Sequence, residues 1–126
     1  MTDEEFISEA NRLLAAKYDA TGAAEVLNNV LSDIQRLQLT LKRYATGFAA
    51  ELTILDVLAK KVENEVNELE AATRRATRAI GQFIDDNDFA ARYAAAMAPV
   101  AVAELAAKAA RATCTPLRNL LAELYA

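Results

Sequence analysis

The stretch "ATGFAAE", Ala45 to Glu51, decides the shape of this chain. A shorter echo, "ATGAAE", occupies Ala20 to Glu25. Each holds one of the three glycines, and each is flanked by residues that favour helix. Either glycine could be a turn between two helices or a weak point inside a longer one.

Outward from Gly47, steps of seven meet Leu27, Ile34, Leu41, Phe48, Leu55, Val62, Leu69, Ala76 and Phe83. None is polar, which marks a heptad a-position. The d-positions are Val30, Leu37, Tyr44, Glu51, Leu58, Glu65, Ala72 and Ala79. Where d turns acidic, at Glu51 and Glu65, the next residue is Leu52 or Val66. An a/d/e stripe suits a bundle better than a two-stranded seam. The unbroken count favours one helix over 23–84, with Gly47 tolerated at about 1 kcal/mol. A break at 46–47 is the alternative. On the continuous reading Gly47→Ala stabilises the fold, whereas Gly22→Ala, placed in a true turn, destabilises it.

The helix before that turn is expected over 3–18. Thr2 and Glu5 form a capping box, and Phe6, Ala10, Leu13, Leu14 and Tyr18 share a face. Asp19, Thr21 and Gly22 are poor helix formers and suggest its end. Further on, "DDND" (85–88) separates elements, with Asn87 or Asp88 as cap. An alanine-rich helix over 88–112 is expected to kink at Pro99. "TCTP" (113–116) reads as a boundary before a last helix, 116–125, with Leu117, Leu120, Leu121 and Leu124 on one face. The expected fold is all-α, a single helical domain over 1–126. It is an elongated bundle of shorter helices packed on one long heptad-patterned helix, continuous or bent at Gly47.

The composition bounds the function. Two prolines and three glycines stand against about fifteen together in an average chain of this length, so elements are few and long. A net charge of −4 argues against nucleic acid, whose phosphates need clustered cations. One cysteine, Cys114, and an acidic start, "MTDEEFISEA", lead to the expectation of a cytoplasmic protein with no secretory leader. The longest uncharged apolar run, Tyr93 to Ala103, falls short of a bilayer span, so membrane is not expected as a partner.

Chemistry has few carriers. There is no histidine, which removes the commonest general base and most zinc sites. Glu63, Glu65, Glu68 and Glu70 should spread around a helix, with Glu70 pairing to Arg74 one turn on. Arg74, Arg75 and Arg78 form a basic cluster that an acidic partner could meet. Cys114 could be activated if a helix began just after it, but it lacks a base. Tyr93 and Met97 read as core. No catalytic residue, cofactor or metal is expected. The reading is a non-enzymatic protein–protein interaction module, a small acidic adaptor, chaperone or inhibitor, of bacterial, phage or plasmid type by analogy. The candidate interaction residues are Phe48, Leu55, Val62, Glu65, Leu69, Arg74, Arg75 and Arg78. A homodimer and an unidentified protein are the expected partners. The alternative is a module that binds an apolar ligand or membrane surface through the alanine-rich helix 89–112.

Overall fold

The computed structural model describes residues 2–43, 47–81 and 89–125. Within these, only Thr2, Gly47 and Phe48 lie outside helices. Helix α1 is Asp3–Arg43, α2 is Ala49–Gly81 and α3 is Phe89–Tyr125. Each packs against both others. Leu13 meets Tyr93, and Asp33 meets Arg118, so α1 and α3 run parallel. The hairpin to α2 reverses the chain between them. The expected all-α helical bundle is what the chain forms.

The rod through Gly47 is corrected. The first helix stops at Arg43, and Gly47 has φ of 99°, in the left-handed region. The Phe48 carbonyl then accepts the Leu52 N–H at 2.9 Å and opens α2. Local charge agrees with this break. Lys42 and Arg43 sit at the negative end of the α1 dipole, and Glu51 sits in the first turn of α2.

The turn at Gly22 is corrected in the opposite sense. This helix runs straight through "YDATG". Asp19, Thr21 and Gly22 all face solvent, while Ala20 and Ala23 face inward. The Thr21 hydroxyl donates to the Lys17 carbonyl at 3.1 Å and is accommodated within the helix. The heptad reaches back through Ala20 and Leu13, both buried, to Phe6, so packing outweighs poor propensity. Leu14 and Tyr18, placed on the inner face by the sequence reading, are 39% and 71% exposed. The capping box is present: the Glu5 N–H donates to Thr2 Oγ1 at 3.2 Å, and the Thr2 N–H to Glu5 Oε2 at 3.3 Å.

The two glycines therefore exchange their expected signs. Nothing lies within 4 Å of a Cβ built on Gly22, so Gly22→Ala should stabilise by about 0.5 to 1 kcal/mol through lost unfolded-state entropy. Gly47→Ala should destabilise by about 1 to 2 kcal/mol, because an L side chain is strained at that φ. Paired urea titrations read both, and equal signs would contradict this hairpin.

The third helix continues through Pro99 and Pro116, so the boundary at "TCTP" is also corrected. Each proline deprives a carbonyl four residues back of its donor. Those carbonyls belong to Ala95 and Ala112, both exposed residues that water can serve. Inward, the pattern never stops: Ala103, Ala107, Ala110, Cys114 and Leu121 are all buried. The expected caps at Asn87 and Asp88, the a-position Phe83 and the end of the long helix at 84 lie outside the described residues, as does the side chain of Leu124.

The core is asymmetric in composition. α1 supplies Leu27, Val30, Ile34, Leu37 and Leu41, and α2 supplies Leu55, Val62, Val66 and Leu69. α3 supplies mainly alanines, so it can lie close against the other two. A second cluster joins Leu13, Ala76 and Tyr93 near the α3 N-terminus. Tyr93 is core, and Met97 is half-buried against it.

Candidate functional surface

Four of the sequence-chosen interaction residues are used up inside the bundle. Leu55, Val62 and Leu69 are buried, and Phe48 is half-buried against the same cluster. Their side chains face the bundle interior rather than an open surface. Arg74, Arg75 and Arg78 are exposed. Glu70 and Arg74 form no ion pair among the described residues; the pairs there are Arg12–Glu9, Lys60–Asp56 at 3.2 Å and the α1–α3 clip Arg118–Asp33.

Glu65 is the member that the structure sets apart. It is half-buried, and one carboxylate oxygen is enclosed with no hydrogen-bond partner. Burial pushes its pKa up; Lys61 opposes this and Glu68 adds to it. With Glu68 it borders a depression of about 310 Å³ floored by Ala98, Pro99, Val102 and Ala103. Glu51, the other d-position acid, also has one enclosed oxygen without a partner.

Further down the groove between α2 and α3, Thr53, Ile54, Val57, Leu58, Lys61 and Thr113 line a second depression of about 320 Å³. A third groove, about 450 Å³, lies between α1 and α3. Its floor is Gly22, Ala23, Val26 and Ala107, and charged Asp19, Glu104, Lys108 and Arg111 stand around it. None of these is a closed cavity, and all are seams between helices.

Cys114 is neither at a helix start nor activated. It is buried mid-helix, and burial raises its pKa, with Arg118 opposing and Asp33 adding. Burial also raises Tyr93, whose hydroxyl donates to the Leu13 carbonyl. Among the described residues no three His, Cys, Asp or Glu side chains converge as metal ligands.

The sequence reading named the alanine-rich stretch 89–112 only as an alternative and singled out none of the large apolar residues exposed on the outside of α2 and α3. Ile54 and Val57 on α2 are 53% and 63% exposed, and Val102 and Leu105 on α3 are 60% and 67% exposed. Their neighbours Ala98, Ala101, Ala109 and Ala112 are exposed too. The signal was present in "YAAAMAPVAVAELAA" (93–107), which offers α3 no polar face until Glu104. By length and composition alone, Tyr93–Glu123 would suffice to cross a membrane.

Fold and surface together define an all-α three-helix bundle whose third helix is apolar on its outer as well as its inner side. Comparison of the chain with sequence families, with curated proteins and with solved structures finds no match.

Proposed function

We propose that the chain is a non-enzymatic protein–protein interaction module, acting through the outer face of α3 and its seam with α2. The observation that carries this is the exposure of Val102 and Leu105 among exposed alanines. The charges of α3 at Glu104, Lys108 and Arg111 keep to its α1 side, and an apolar outer side that stays open is suited to being covered. The small side chains let another helix approach closely, in the helix-in-groove manner.

A photo-crosslinking residue at position 105, introduced in the native host, should capture a discrete second polypeptide. The same probe at Asn28, exposed on α1, should not. Equal capture at both positions, or none at 105, would sink the reading.

A second reading rests on the apolar length of Tyr93–Glu123. It has this helix binding an apolar ligand or a membrane surface. The net charge of −4 opposes anionic lipid. Flotation with zwitterionic and anionic vesicles separates the two readings: a protein-docking module stays at the bottom of the gradient with both.

A further inference from the structure

The heptad stripe gives no reason for a dimer, because α1, α2 and α3 bury it within one chain. The outer surface gives a different reason. Glu65 and Glu68 border one depression with Ala98, Pro99, Val102 and Ala103, so 65–68 and 98–103 lie at one level of the antiparallel pair α2 and α3, with Glu65 nearest the Val102 end. Moving two residues back along α2 reaches the midpoint of Lys61 and Glu65. Moving one and a half residues forward along α3, half a residue less, reaches the midpoint of Val102 and Leu105. The two midpoints therefore share one level across the α2/α3 face.

We propose that this face pairs, antiparallel, with the same face of a second copy of the chain, about one two-fold axis through both midpoints. That single operator sets Val102 against Leu105 of the copy and Leu105 against its Val102. It also sets Lys61 against Glu65 of the copy, and Glu65 against its Lys61. An isologous contact must be self-complementary in this way.

The charges support this occupant. Lys61 and Glu65 are one turn apart on α2, yet they form no ion pair within the chain. Lysine preceding glutamate is the less favourable order for an intrahelical pair. Glu65 has already lost water at one oxygen without gaining a donor. The other carboxylate oxygen is not enclosed, and there an ammonium delivered by a second chain can neutralise the half-buried charge. The area fits as well: twenty residues of two adjacent helices, about 30 Å by about 20 Å, offer roughly 600 Å². That approaches the roughly 800 Å² per partner of a specific interface, the size of a reversible dimer.

The inference rests on the docking role of this face, but its test is separate and uses the purified chain. Light scattering across a micromolar-to-submillimolar dilution series should give twice 13.7 kDa at the upper end. Leu105→Glu should weaken the dimer by about tenfold or more in Kd, with the helical circular dichroism unchanged. Lys61→Glu and Glu65→Lys should each be monomeric alone. Mixed, they should form a heterodimer, since every facing pair is then opposite in charge. An intrachain Lys61–Glu65 interaction cannot produce that rescue. A monomeric wild type, a dimer indifferent to Leu105→Glu, or single variants that fail to recover on mixing would each overturn the proposal. A monomer that still crosslinks to another protein through position 105 would remove self-pairing alone, and a dimer without such a crosslink would remove the second-protein partner alone.

Discussion

Tyr93→Ala should lower stability by about 3 to 5 kcal/mol, the range for removing a large aromatic from a core that cannot collapse. The tyrosine is 1% exposed and packs with Leu13 and Ala76. Around it stand Ala16, Ala79 and Ala96, with Ile80 and Met97. Alanines on all three helices leave a socket there, and one ring fills it. Truncation leaves a void between three rigid helices, because no neighbouring alanine can reach inward to occupy it. Tyr93→Phe keeps the ring and removes only the hydroxyl that bonds the Leu13 carbonyl, at a cost of about 1 kcal/mol. Urea unfolding followed by circular dichroism reads both changes. A loss at Tyr93→Ala no larger than at Tyr93→Phe would mean that this end of the bundle is not closed by the ring.

The helix content and the inward face of α2 were legible because they depend on a period alone. Leu55, Val62 and Leu69 fall seven apart, and Val66 replaces Glu65 on the inner face. Where helices end was not legible from the period. A heptad count states which face a residue takes, not whether the chain reverses between two residues. It runs unbroken through Gly22, where the helix continues, and equally through Gly47, where the helix stops. Local charge separates the two glycines better. Lys42 and Arg43 suit a helix C-terminus before Gly47, whereas Asp19 would oppose the dipole of a helix ending at Gly22. Half of the candidate interaction residues, Phe48, Leu55, Val62 and Leu69, pack inside the bundle for a related reason. Apolar a-positions need cover, and a chain that folds back at Gly47 supplies that cover itself. On α2 and α3 the large apolar residues left exposed lie off the inner face: Ile54, Val57, Val102 and Leu105.

Ala110→Leu should destabilise by about 1 to 3 kcal/mol, although leucine is a good helix former and larger than alanine. Ala110 is 0% exposed, in one cluster with Leu27, Val30, Leu55 and Val62. With Ala103 and Ala107 it forms the inner edge of α3, and those short side chains set how near α3 lies to its neighbours. Three added carbons at a position with no free surface must push the helices apart or force strained rotamers. Two residues on, Ala112 lies about 200° round the helix and is exposed. Ala112→Leu should change stability by less than about 0.5 kcal/mol. The contrast isolates packing from helix propensity, since both substitutions make the same change in the same helix. If the two variants unfold at the same urea concentration, α3 is not held at alanine distance from α1 and α2, and its outer apolar side would need another explanation than a thin helix built for contact on both faces.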